Sequence, residues 1–331
     1  FEMFMYDPNP GLEPLFLPYH FKMTSNRISS SPRKVKGSLK DSYDLLTASA
    51  NSGLFHGMVN TSWDDSGLHN QMWMLSFATS AQYSWNATAP GLEEFENSFF
   101  QNYYGSNVKD MEELYELLNE GAYYYSHSME RNVWHHGDIG KTHLPDLPRG
   151  QYVEYDLYWN NEYSDIVKRS RTQKESMKRA LQIIDINMGQ VERNAYDFEV
   201  YQSIAKLIEH TCLTYLDLSE LEYTITQAHK NAFLDRAATL RSLEKAEQLI
   251  GNSLLRREKV FADLVSVWEK TRLPKGMSTP AKKYFFKMDR SRHFANRTPD
   301  MSYLIYDEQL LDMEGYLEKL RAYRKSFQLK F

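Results

Sequence analysis

The sequence has one cysteine, Cys212, among 331 residues. That excludes an internal disulfide and any cysteine-rich zinc centre. It leaves the compartment open, because a secreted protein can also lack disulfides. There is no basic excess: 39 Lys and Arg face 44 Asp and Glu, giving a formal charge of −5. A general nucleic-acid binder needs a basic face to neutralise phosphates, so that class is set aside. No run of about 18 apolar residues occurs, and the mean hydropathy is −0.61, so no membrane span is expected. The start carries no basic stretch and apolar core of a signal peptide. It opens at Phe1, within an apolar run, and reads as a piece of something longer.

Aromatic residues are plentiful: 23 Tyr, 17 Phe and 6 Trp. That favours a large core, a sugar-binding surface, or both. The first 90 residues read as mixed α/β. Phe1–Tyr6 is a short apolar strand closed by a Pro/Asn/Gly turn, and residues 22–38 are a polar, basic loop. A helix capped by Ser38 or Asp41 runs to about Ala50 and stops at Asn51-Ser52-Gly53. Leu54–Trp63 reads as a second strand, Asp64–Gly67 as a loop, and Asn70–Trp85 as a helix. Strand, helix, strand, helix implies parallel strands, and two strands cannot bury both faces of such a sheet alone. The remaining strands must come from upstream sequence or another chain.

Helices are expected near 92–104 and 108–131, followed by a loop with Pro145 and Pro148. Beyond about residue 160 the pattern is strongly helical. Met177, Leu181, Ile184, Met188, Val191, Ala195 and Phe198 keep a 4-3-4-3-4-3 spacing, one apolar stripe on one helix face. Ile204, Ile208, Cys212 and Tyr215 carry on a similar face, then Leu240, Leu243, Leu254, Phe261 and Trp268. Residues 272–302 read as disordered or extended, and Leu304–Phe327 as a last helix. A coiled coil over 175–215 is the alternative to a bundle.

The segment with most chemistry is Gly57–Asp65, followed by the helix that ends Ala81-Gln82-Tyr83-Ser84-Trp85-Asn86. Strand C-terminal ends carry the sites of parallel barrels. At such an end the Trp63 face can stack on a pyranose, and a carboxylate two residues on can accept from sugar hydroxyls. The plainer reading makes Trp63 a core residue and Asp64 and Asp65 helix caps.

Trp63-Asp64-Asp65 with the later Ala-x-Tyr-Ser-Trp-Asn resembles the last strand and helix of family 20 glycoside hydrolases, the β-N-acetylhexosaminidases. The family form is Trp-x-Glu with Ala-Glu-x-x-Trp; here an Asp replaces the Glu, one methylene shorter. Tyr6-Asp7 is similar to the Tyr-x-Asp or Tyr-x-Asn at the end of the family's seventh strand, without the intervening residue. The resemblance covers roughly residues 1–90. It implies the C-terminal part of a TIM (β/α)8 barrel over residues 1–105, then an all-α helical bundle domain over 106–331. It implies that Trp63 walls a terminal N-acetylhexosamine, that Asp65 meets its hydroxyls with Asp64 beside it, and that Tyr6 bonds the acetamido group with Asp7 nearby. The family hydrolyses by substrate assistance, with an adjacent Asp-Glu pair at strand four as the catalytic carboxylates. That pair would lie upstream of Phe1, so no catalytic residue is assigned here and the isolated chain is expected to be inactive. The substrate is an oligosaccharide or glycoconjugate, no cofactor is called for, and the location implied is periplasmic or secreted.

Other features carry less. His135, His136, Asp138 and His143 are chemically apt zinc ligands, but their spacing matches no known site and a solvated loop is the preferred reading. Arg290–Arg297 is basic and aromatic, suited to an anion or to ion pairs with acidic helices. Ser76, Ser80 and Cys212 lack a nucleophile elbow, and Gly137 and Gly140 lack the strand-to-helix setting of a phosphate loop. Asn60, Asn86 and Asn296 head glycosylation sequons. Two readings from other classes stay open: a non-catalytic carbohydrate-binding protein, and a helical scaffold.

Overall fold

The longest element follows from one uninterrupted stretch of sequence. Residues 195–231 contain neither glycine nor proline, and they form a single helix of 37 residues, about 55 Å long. Its inner face is mostly apolar along the whole length, with Phe198, Tyr201, Ile204, Ile208, Cys212, Tyr215, Leu221 and Ile225 all 0–1% exposed. A helix apolar on so much of its circumference must be covered by neighbours. The structure, a computed structural model, describes residues 4–5, 39–51, 57–58, 69–126, 128, 142–148, 156–272 and 311–330.

In chain order the elements are β1 (Phe4–Met5), α1 (Leu39–Asn51), β2 (Gly57–Met58), a 3-10 turn (Asn70–Trp73), α2 (Met74–Trp85), α3 (Leu92–Tyr104) and α4 (Met111–Ser126). They continue as α5 (Tyr158–Glu162), α6 (Ser164–Met188), α7 (Ala195–Asn231), α8 (Arg236–Glu269) and α9 (Met313–Lys330). The long helix α7 is the axis. It packs along α6 on one side and α8 on another, with α4 against α6 and α9 against α8. Asp235 caps α8, its side chain accepting from Ala238 N at 2.9 Å. Cys212 lies in α7 with no exposure, and burial pushes its thiol up to about 12.

The barrel expectation is overturned. β1 and β2 do pair in parallel, Phe4 opposite Gly57 and Met5 opposite Met58. These two-residue strands are all the strand structure among the described residues, so the described residues form neither a barrel nor an α/β layer and are helical. The reason is where the apolar faces go. Barrel helices turn their apolar faces to a sheet. Here Leu39, Met72, Leu75, Phe100 and Tyr104 join one apolar cluster with Phe198, Tyr201 and Ile204 of α7. The faces of α1 to α3 are spent on helices.

The apolar stripe over 177–198 is also divided. It spans the end of α6 and the start of α7, with a turn at 189–194 between them. Asn194 takes a left-handed conformation at φ 56°, a region that asparagine tolerates better than most residues. Met177, Ile184 and Phe198 are buried, whereas Met188 is 41% exposed.

Candidate functional site

The sugar contacts expected from the sequence, Tyr6, Asp7, Trp63, Asp64 and Asp65, lie outside the described residues, as do His135, His136, Asp138 and the segment Arg290–Arg297. What flanks the first group is described. The parallel register sets the C-terminal ends of β1 and β2 side by side. In sequence, Tyr6 and Asp7 follow Met5 directly, and Trp63 follows Met58 by five residues.

The chain is next described at His69, four residues after Asp65. His69 is only 3% exposed. Its ring meets Trp268 edge-on at 5.0 Å between centroids. The Arg272 guanidinium lies over the same Trp268, 4.9 Å from its centroid, within cation–π reach. It reaches His69 Nδ1 at 3.1 Å through Nη1, and donates from Nη2 to Gln71 Oε1 at 3.1 Å. Tyr196 donates its hydroxyl to Val267 O at 2.7 Å, closing the start of α7 on the end of α8. The sequence around Trp63 is thus followed by a firm attachment to the helical body. Of the His-rich loop, His143 is described, and its Nε2 faces Glu162 Oε2 at 3.1 Å on the surface.

The described residues line several cavities. One, of about 620 Å3, lies among α1, α3 and α4, lined by Leu39, Lys40, Glu93, Glu96, Glu112, Tyr115 and Glu116 among others. Burial pushes the Glu96 carboxyl up to about 7, and the charges of Glu112, Glu116 and Glu93 add to it. Glu96 is consequently half-protonated near neutral pH, while four crowded carboxylates by themselves do not define a site. A second, of about 820 Å3, lies between residues 142–148 and α9, with Tyr316, Lys319 and Tyr323 on its helical wall. A third, of about 610 Å3, lies between α4 and α6.

The interior also holds polar groups that local patterning missed. Tyr104, Tyr115 and Tyr201 bring their hydroxyls together at 2.7, 2.8 and 2.9 Å, a closed ring joining α3, α4 and α7. Asp197 accepts from Tyr104 at 3.4 Å; burial pushes its carboxyl up to about 6, with Tyr103 and Tyr104 bonding against that rise. Glu222, 2% exposed on α7, accepts from the backbone amides of Trp159 and Asn160 at 2.8 Å each. That seats the short helix α5. One signal was available: Glu222 is a charged residue inside the apolar run Leu218, Leu221, Ile225.

No family model matches the chain, and no curated protein matches it. One solved structure that it is similar to is a GH138 enzyme targeting pectin rhamnogalacturonan II, at 14% identity and a TM-score of 0.40. The match covers 88% of this chain and 45% of that one, so the chain spans less than half of its neighbour's length. That neighbour is a glycoside hydrolase, and a likeness at this level carries no argument about fold or site. The resemblance to family 20 is corrected: no family model supports it, and the described residues form helices where the family requires a barrel. Among the described residues no helix is long and apolar enough to cross a membrane.

Proposed function

We propose that the chain is the sugar-contacting portion of a carbohydrate-active hydrolase, in which residues after β1 and β2 hold a terminal sugar and the helical body fixes them. The observation that carries this reading is the parallel register of Phe4–Met5 with Gly57–Met58. It sets the C-terminal ends of β1 and β2 side by side, and in sequence Tyr6-Asp7 follows the first directly while Trp63-Asp64-Asp65 begins five residues after the second. The residue types suit a pyranose. Trp63 supplies a flat apolar face, Asp64, Asp65 and Asp7 accept from hydroxyls, and the Tyr6 hydroxyl serves an acetamido group. The finer substrate we assign is an oligosaccharide ending in N-acetylhexosamine. The chain is assigned sugar contacts and no proton donor, so binding rather than turnover is the property to measure. The attachment of His69 and Gln71 to Trp268 and Arg272 supports the reading, since it holds the sequence after Asp65 to the helical body.

The test is saturation-transfer NMR and calorimetric titration of the full chain with such an oligosaccharide. Trp63→Ala is expected to weaken binding about tenfold, roughly 1.4 kcal/mol, through loss of the stacking face. Unchanged affinity in a folded Trp63→Ala variant, or no binding by the unaltered chain, overturns the assignment.

A further inference from the structure

The cavity between α4 and α6 has two walls of different chemistry. Glu120, Tyr123 and Tyr124 come from α4, and Asp165, Lys168, Arg169, Thr172 and Gln173 from α6. Its volume of about 610 Å3 is in the range of small-ligand sites. Tyr124 is fixed: its hydroxyl lies 2.7 Å from Ser170 Oγ, which in turn donates to Ile166 O. Lys168 and Arg169 have no ion-pair or hydrogen-bond partner among the described residues. Their neighbours along the helix do: Lys174 and Lys178 hold Glu175, and Arg179 holds Asp110 and Glu113.

Gln173 is the telling group. It lines this cavity, is 9% exposed, and its Nε2 makes no hydrogen bond among the described residues. A buried amide donor left unmet costs free energy in the empty protein. The atom is closed to water in the cavity wall, so a small rotation of the Gln173 side chain is what would bring it onto a ligand acceptor and relieve that cost.

We propose that this cavity binds one pyranose-sized, uncharged saccharide unit. The carboxylates of Glu120 and Asp165 accept from hydroxyls. Lys168, Arg169 and the Gln173 amide donate to hydroxyl and ring oxygens, and Tyr123 and Tyr124 give apolar surface. Two carboxylates stand against two cations, so the lining is balanced and favours a neutral polyol over an anion or a cation. None of the lining residues belongs to the sequence segments assigned sugar contacts above, so the proposal does not rest on that assignment.

The experiment is saturation-transfer NMR and calorimetry on the full chain with galactose, N-acetylglucosamine and, as the charged comparison, galacturonate. A neutral sugar is expected to bind. Gln173→Leu is expected to weaken it about fivefold, the loss of one hydrogen bond. Its thermal midpoint should stay level or rise, because leucine is of similar size and removes an unmet donor. Arg169→Gln, at an exposed position, should weaken binding in a variant whose fold is not at stake. Trp63→Ala should leave this binding in place. The proposal is overturned by the absence of saturation transfer, by galacturonate binding more tightly than both neutral sugars, by full affinity in both Gln173→Leu and Arg169→Gln, or by loss of all binding in Trp63→Ala.

Discussion

At the scale of single residues, the interior is marked by carboxyls that keep their protons longer than usual. Glu96 is shifted from 4.5 to about 7, first by burial and then by Glu112, Glu116 and Glu93; Asp197 is shifted from 3.8 to about 6 by burial. A raised carboxyl means that the native state holds its proton more tightly than the unfolded chain does. Over the window from 4.5 to 7 for Glu96, unfolding therefore releases a proton, and stability falls as pH rises. Above the window the loss is complete and constant. Glu96→Gln removes this dependence. The variant should gain little over the parent at about pH 5 and be clearly more stable at about pH 8, read from thermal midpoints. An equal difference at both values would show that neither burial nor the neighbouring glutamates raise this carboxyl. Such groups were not readable in advance. Glu96 is one of three glutamates on α3, and its partners Glu112 and Glu116 come from a different helix.

At the scale of elements, the sequence was legible where a signal is local. The stop at Asn51, the helix at 92–104 and the apolar face through Ile204, Ile208, Cys212 and Tyr215 all correspond to described helices and buried positions. The break between α6 and α7 was not, because a 4-3 spacing counts apolar residues and ignores the chain between them. Here Gly189 and Asn194 bracket a turn at which the stripe lapses, with Met188 and Ala195 both exposed, before it resumes at Phe198. That turn is locked to another. Glu192 N and Arg193 N both donate to Tyr104 O, at 2.9 and 3.2 Å, and Asn107 Nδ2 donates to Glu192 Oε1 at 3.2 Å. Gly105 makes the approach possible. Its φ is 116°, and a Cβ there would sit 2.8 Å from Glu192 Cδ. Gly105→Ala should cost about 2 kcal/mol through strain and displacement. Gly251 lies within α8 with nothing within 4 Å of its would-be Cβ, so Gly251→Ala should stabilise by up to about 1 kcal/mol. Urea unfolding of the two variants checks the opposite signs.

At the scale of the whole molecule, most packing joins helices that follow one another: α6 on α7, α7 on α8, α9 back on α8. The helical character of Ser164–Met188, Ala195–Asn231, Arg236–Glu269 and Met313–Lys330 was readable because amphipathic stripes are local signals. The barrel was misread because strand, turn and helix cues look the same whether a strand pairs over two residues or over eight. The candidate sugar contacts were legible only as residue types, Trp63 and Asp65 above all, and nothing local says which wall they face. The Tyr104–Tyr115–Tyr201 ring and the seat that Glu222 gives α5 were illegible for a related reason. Their partners are 11 to 97 residues apart in sequence.

Cys212 gives this architecture a built-in clock. It is the only thiol in the chain. In the native state it is both out of reach, at 0% exposure, and un-ionised, with its proton held up to about 12. Thiol reagents need an accessible thiolate, so each labelling event marks one opening of the axis helix. In native buffer the labelling rate, followed by mass spectrometry, should equal the free-thiol rate multiplied by the fraction of molecules open. If α7 opens only with the whole body, that rate should climb with urea at the slope of global unfolding. A shallow slope would instead time a local breathing of the helix, one that circular dichroism at equilibrium would not register.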